Sequence, residues 1–132
     1  MKYIRMCLCA MLAVVLCSAF TLEKKEKPVY VFGVGASFKD SVVYFTEVQL
    51  LDSVALDNNG FLPGRVSYAY QMKNYLEYEK NKLDYTCAIY FSESRSKLEK
   101  EASKIYKRYE KGNTYVLKNI QTSDFSFRKP EE

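Results

Sequence analysis

The chain has 132 residues, of which 20 are Lys or Arg, 16 are Asp or Glu and none is His, so the formal net charge is +4. The absence of histidine excludes Ser-His-Asp and Cys-His nucleophile systems and zinc sites that use imidazole ligands. A net charge this small does not by itself indicate a nucleic-acid partner, and we predict none.

Residues 1–19 have the three-part layout of a secretory signal peptide. Lys2 and Arg5 form a basic start, an apolar run extends from about residue 6 to residue 16, and Cys17-Ser18-Ala19 is a small-residue exit. The apolar run is shorter than the roughly 20 residues that a bilayer-spanning helix requires. We predict cleavage after Ala19 and export to the periplasm or cell envelope.

Cys17 leaves a lipid-anchored alternative open, because bacterial lipoprotein signals end in a cysteine that becomes acylated. Leu16 precedes it, where that pattern usually has Gly or Ala. Under this alternative the protein is a lipid-anchored structural or assembly factor, which contacts the membrane only through the signal or a lipid on Cys17. Cleavage after Ala19 instead leaves Cys87 as the one remaining cysteine, which cannot form an internal disulfide.

The composition after the signal predicts a charged leader over residues 20–28, a domain over residues 29–128 and a polar tail over residues 129–132. From Val29 to Phe38 the apolar residues alternate in two rows, which is typical of a strand. Residues 39–41 supply a turn, and a second strand is predicted from Val42 to about Leu51. The two strands form a hairpin.

Gly33 and Gly35 lie in the first strand and raise the question of a phosphate-binding loop. Such loops require a helix N-terminus directly after the glycines, and a strand follows here instead. We predict a bulge, or a groove where another element approaches the strand closely.

Two helices are predicted further along the chain. The first extends from about Arg65 to Lys80, with Val66, Ala69, Met72 and Leu76 at helical spacing. The second follows Ser94, a plausible N-cap, and ends near Lys111-Gly112. Its apolar positions are Leu98, Ala102, Ile105 and Tyr109.

Residues 85–92 and 115–120 predict a third and a fourth strand, and Phe125 with Phe127 suggests a fifth, edge strand. The element order is therefore β-β-α-β-α-β. We predict an α+β fold, a two-layer sandwich in which a four- or five-stranded mixed sheet carries both helices on one face.

The side chains present predict no metal site, no cofactor and no enzymatic activity. The carboxylate pairs on the predicted helices are two residues apart, so they diverge. Cys87 lies mid-strand in an apolar row without an activating neighbour, which predicts a buried, unreactive thiol.

A basic stripe on the second predicted helix is the first candidate binding feature. A row of this kind can hold an anionic polymer or a lipid headgroup, although a solvated face balanced by Glu99, Glu101 and Glu110 is the plainer interpretation. The stripe comprises Lys97, Lys100, Lys104, Lys107, Arg108 and Lys111.

The second candidate is an aromatic sheet face. If both helices cover one face, the other face would expose the aromatic residues Tyr30, Phe32, Tyr44 and Tyr90. Aromatic platforms bind sugars and partner proteins, although tyrosines in a chain without tryptophan also complete cores.

Three stretches, SFKDSVVYFTEVQLLDS, GRVSYAYQMKNYLEY and SDFSFR, resemble those of a group of small exported proteins common in Bacteroidetes. That resemblance implies export and one domain, and transfers no catalytic residue. The stretch TCAIYFSESRSKLEKEASKIYKRYEKGNTYVLKNI is similar to the second half of SPOR-like peptidoglycan-binding domains, although a hairpin replaces their upstream strand-helix-strand. The sequence as a whole predicts a non-catalytic cell-envelope binding or interaction module for a glycan or a protein.

Overall fold

The computed structural model describes residues 27–130; the predicted signal, Cys17 and most of the predicted leader lie outside them. The elements in chain order are β1 (Val29–Ser37), β2 (Asp40–Thr46), β3 (Gln49–Leu51), α1 (Arg65–Lys80), β4 (Thr86–Ser92), α2 (Arg95–Glu110) and β5 (Val116–Ile120). The predicted α+β class is confirmed, with a five-stranded mixed sheet and two helices.

β1 is the central strand of the sheet. It pairs antiparallel with β4 along one edge, where Gly33 lies opposite Ile89. Along its other edge it pairs antiparallel with β3 and then with β2. β5 pairs with β2 and runs parallel to it. The free edges of the described sheet are therefore β4 and β5.

The predicted second strand is divided into β2 and β3 by a two-residue break at Glu47 and Val48. At this break the buried Thr46 hydroxyl accepts a hydrogen bond of 2.8 Å from the backbone N–H of Gly33. The side chain thus replaces a backbone acceptor where β1 changes partners, which satisfies a buried donor.

The prediction that both helices lie on one face of the sheet is wrong. α1 packs on the face that presents Val29, Val31 and Ile89. α2 packs on the opposite face, against Phe32 and Val34. Both rows of β1 are buried, so each face of the sheet needs its own covering layer.

The chain path explains why the helices lie on opposite sides. The pairings make β3, β4 and β5 run in the same direction, so α1 and α2 each belong to a crossover between parallel strands. The first crossover passes from β3 over β1 to β4, and the second returns across the sheet to β5. Crossovers between parallel strands are right-handed. Because the two crossovers run across the sheet in opposite directions, their helices lie on opposite faces of it.

The predicted close approach at the β1 glycines is confirmed. A Cβ on Gly33 would lie 2.6 Å from Met72 Sδ, and one on Gly35 would lie 2.8 Å from Leu76 Cδ1. Met72 and Leu76 are fully buried on α1. Val66, which the helical spacing placed in the same apolar stripe, is instead 82% exposed, and Tyr68 occupies the core in its place.

The predicted fifth edge strand at Phe125 and Phe127 is also wrong, because this segment docks on a side chain rather than on a strand. The amide of the buried Gln49 donates from Nε2 to the Phe125 carbonyl (3.1 Å) and accepts the Phe127 N–H at Oε1 (2.8 Å). Gln71 holds both backbone groups of Arg128 in the same manner. A glutamine amide carries the same donor and acceptor as a peptide group.

The predicted Ser94 cap of α2 and the predicted core positions Leu98 and Ile105 are confirmed. The Ser94 hydroxyl caps the helix by accepting from the Lys97 N–H, and Arg95 pairs with Glu99 at 2.9 Å. Leu98 and Ile105 are buried against the sheet.

Across residues 27–130, neither helix combines the length and the hydropathy that crossing a bilayer would take.

Candidate functional site

An open groove lies between α2 and the β4 side of the sheet, and we call it the α2 groove. α2 is held over the middle strands because Leu98 and Ile105 pack in the cluster that contains Phe32, Val34 and Phe45. This position leaves Thr86 and Ala88 of the edge strand β4 exposed on the same face. The helix thus forms one wall of the groove, and β4 forms the floor.

The first section of the groove has a basic wall and a volume of about 520 Å³. Its floor is Tyr90 and Ile105, and its wall consists of Lys97, Lys100, Glu101, Lys104 and Arg108. These residues share one side of the helix because they recur every three or four positions. None of the four cations forms a salt bridge with a residue in the described part of the chain.

The second section is mainly apolar and has a volume of about 330 Å³. It adjoins the first, because Tyr90 and Ile105 line both sections. The remaining lining residues are Val34, Ala36, Ser37, Phe38, Thr86, Ala88, Tyr109 and Tyr115. The groove therefore combines fixed positive charge with aromatic and aliphatic surface.

Ring packing fixes the aromatic residues of the groove. The Tyr90 ring stacks on the buried Phe32 ring with centroids 4.9 Å apart and planes 12° apart. Tyr109 meets Tyr115 edge-on at 5.2 Å and contacts Phe45 at 6.0 Å. These contacts hold the rings before any ligand arrives, which lowers the entropy cost of binding on them.

The predicted exposed aromatic face does not exist. Phe32 and Tyr44 are 0% and 3% exposed, and they lie on opposite faces of the sheet. The register explains this difference: Tyr44 lies opposite Gly35 on the α1 side, whereas Phe32 lies opposite Tyr90 on the α2 side. Tyr30 is half-buried beside α2. Of the four predicted residues, only Tyr90 lines the groove.

The six residues of the predicted basic stripe are all exposed, and the groove divides them. Lys97, Lys100, Lys104 and Arg108 line it, whereas Lys107 and Lys111 do not. The sequence does not predict the apolar section, because helical spacing places Tyr109 in the core, whereas the structure leaves it half-buried in the groove lining. The small residues Thr86 and Ala88 on one row of the third predicted strand are the signal that suggests an uncovered strip.

Cys87 is half-buried on the α1 face, away from the groove. Burial raises the pKa of its thiol from the usual 9.0 to about 11, and the charge of Lys73 opposes this effect only weakly. The thiol is therefore protonated at neutral pH, and thiols in that state are poor nucleophiles and poor metal ligands.

The other charged cluster is structural. Lys82 Nζ lies 2.8 Å from Asp40 Oδ2, and the Asp40 Oδ1 accepts from the Val42 N–H. The Lys82 hydrogen bond lowers the pKa of Asp40, and the same bond raises the pKa of Lys82. The Tyr85 hydroxyl donates to the Val42 carbonyl at 2.7 Å, and burial raises its pKa. These bonds fasten the α1–β4 connection to the start of β2.

Residues 27–130 contain no cluster of acidic and Cys side chains suited to a metal ion.

No family model matches the chain, and neither a curated protein nor a solved structure matches it significantly. The resemblances to the Bacteroidetes group and to SPOR-like domains stay predictions.

Proposed function

We propose that this protein is an exported, non-catalytic binding module of the cell envelope, and that it holds an anionic polymer in the α2 groove. The observation that carries the proposal is the basic wall, where four cations without salt-bridge partners in the described residues face one carboxylate, Glu101. Like charges held along one wall repel one another, and a bound polyanion relieves that repulsion.

The dimensions of the wall favour a chain over a small ion. Lys97 and Arg108 are eleven residues apart on one helix, which corresponds to about 16 Å along its axis. Cations spread over that distance engage several charges of an extended ligand at once. The adjoining aromatic section offers Tyr90 and Tyr109 for apolar contact with the same ligand.

The chemistry of the groove supports binding rather than catalysis. General acid–base hydrolysis of a glycan uses two carboxyl groups that face each other, and among residues 27–130 Glu101 is the one carboxylate that lines the groove. The other polar lining groups are amines, a guanidinium, hydroxyls and phenols. The resemblance to SPOR-like domains favours a cell-wall glycan as the ligand.

The test is co-sedimentation of the exported protein with purified cell-wall sacculi. We expect retention of the wild type, and at least a fivefold loss in a Lys100→Gln/Lys104→Gln variant, since two lost charge contacts are worth about 1 kcal/mol or more. Retention should also fall when salt is raised from about 0.1 M to 1 M, because the Debye length shrinks from about 10 Å to 3 Å.

The matched control is Lys80→Gln/Lys118→Gln, which removes the same charge from exposed positions outside the groove. Equal loss in both variants would mean that only net charge matters, and the groove assignment would fail. Absence of wild-type retention on sacculi would remove the glycan as ligand.

A further inference from the structure

Four large apolar side chains are exposed together at one end of the molecule. Phe38 is fully exposed at the tip of the β1–β2 turn, and Leu83 is 68% exposed in the α1–β4 connection. Tyr115 and Val116, at the start of β5, are 43% and 51% exposed. We call this set, Phe38, Leu83, Tyr115 and Val116, the hairpin end.

Three observations place these side chains on one surface. The Lys39 Nζ lies 3.1 Å from Asp84 Oδ2, which joins the β1–β2 turn to the residue after Leu83. Phe38 and Tyr115 both line the apolar section of the α2 groove. Val116 pairs with Val42, two residues after β2 begins. The three connections at this end of the sheet therefore converge.

Positive charge surrounds the hairpin end. The three connections and the residues that flank them carry five cations, Lys39, Lys82, Lys107, Arg108 and Lys111, against three acids, Asp40, Asp84 and Glu110. Lys39 and Lys82 pair with Asp84 and Asp40, respectively. Lys107 and Lys111 are the two stripe residues that do not line the groove. Protruding apolar side chains surrounded by cations are typical of surfaces that insert shallowly into an anionic bilayer.

We propose that the hairpin end docks on the surface of an anionic lipid bilayer, with Phe38 and Leu83 entering the headgroup region. Lys107 and Lys111, which form no salt bridge with a described residue, contact lipid phosphates. The shape favours a bilayer over a protein partner, because the apolar side chains stand at separate loop tips instead of forming one flat patch. The apolar tips supply the hydrophobic contribution, and each nearby Lys or Arg adds electrostatic attraction to the anionic leaflet.

The test is sedimentation with sucrose-loaded vesicles. The protein is purified after export and shown by mass spectrometry to carry no acyl group. We expect binding to phosphatidylglycerol vesicles, weaker binding to phosphatidylcholine vesicles, and about a tenfold loss in a Phe38→Ser/Leu83→Ser variant, from the apolar surface that it no longer buries.

The matched control is Phe61→Ser/Val66→Ser, which removes two exposed apolar side chains from the loop before α1 and from α1. This variant should bind vesicles as the wild type does. No binding of the wild type to phosphatidylglycerol, or equal losses in the two variants, would overturn the proposal. So would self-association without lipid that Phe38→Ser/Leu83→Ser abolishes, because the hairpin end would then be a dimer interface. Phe38 also lines the α2 groove, whereas Leu83 does not, so Leu83→Ser alone separates the two proposals: it should weaken vesicle binding and leave sacculus retention unchanged.

Discussion

Gly33 shows how one residue sets the distance between two layers. Its missing side chain lets α1 approach β1, and a Cβ there would meet Met72 Sδ at 2.6 Å, Phe127 Cζ at 3.1 Å and Ile89 Cδ1 at 3.3 Å. Three side chains from three different segments close around this position, so no single rotamer change makes room.

We therefore expect Gly33→Ala to lower the free energy of unfolding by about 1–3 kcal/mol, as overpacking does elsewhere. Urea denaturation followed by circular dichroism measures this change. Gly112→Ala is the control, since the nearest atom to its new Cβ is Thr114 Oγ1 at an ordinary 3.4 Å. If the two variants are equally stable, Gly33 does not set the spacing.

The reactivity of the Cys87 thiol gives a second prediction for a single residue. With its pKa raised to about 11, the folded thiol has about a hundredfold less thiolate at neutral pH than an unfolded thiol with the usual 9.0. Iodoacetamide should alkylate Cys87 correspondingly more slowly in native protein than in urea, as read by peptide mass spectrometry. Equal rates would show that the thiol is not desolvated.

The raised pKa of Cys87 also makes the free energy of unfolding fall as the pH rises. Between pH 9 and pH 11 the folded state keeps a proton that the unfolded state loses, so the contribution of Cys87 is complete below pH 9 and disappears as pH rises through 11. In the Cys87→Ala variant, the free energy of unfolding should fall less steeply between pH 9 and pH 11 than in the wild type.

At the scale of the elements, α1 protects the free edge of β4. Arg65 donates from its Nε and from one terminal nitrogen to the Ile89 carbonyl, at 3.2 and 2.9 Å, and its guanidinium lies 5.4 Å from the centre of the Phe91 ring. An outward carbonyl at the middle of the edge strand is thereby occupied, which blocks the addition of another strand.

Arg65→Ala should expose that carbonyl and promote edge-to-edge pairing. We expect the self-association constant to rise at least about tenfold, because a hydrogen bond from a charged group is worth about 1.5–3 kcal/mol. Analytical ultracentrifugation over a concentration series measures it. Arg128→Ala removes an exposed arginine elsewhere, and identical behaviour of the two variants would contradict the role of Arg65 as an edge guard.

The local elements were predictable because their signals are local. The helix at Arg65–Lys80, the Ser94 cap and the alternating rows of β1 follow from spacing and capping residues within a few positions. The docking of Phe125 and Phe127 on Gln49 could not be predicted, because this contact joins residues more than 70 positions apart and depends on one side-chain amide. No spacing rule marks a glutamine that substitutes for a strand.

At the scale of the whole molecule, the position of the helices depended on strand order, which the sequence does not carry. The element order is compatible with helices on one face or on two, and only the return of the chain across β1 to β5 selects two. That outcome buried Phe32 and Tyr44 and removed the predicted aromatic platform. It also placed the basic row of α2 along the groove beside β4. The basic half of the candidate site was predictable from the charge pattern, and the apolar half was not.

NMR mapping of backbone amides during titration with soluble glycan fragments released from sacculi tests directly whether the α2 groove binds a glycan. Glycan binding in the α2 groove predicts that the perturbed amides lie in β4 and along α2 from Lys97 to Arg108, on the two sides of the groove. Lys100→Gln/Lys104→Gln should abolish these shifts without moving other resonances. Perturbations confined to α1 or β5, or none at saturating glycan, would contradict it.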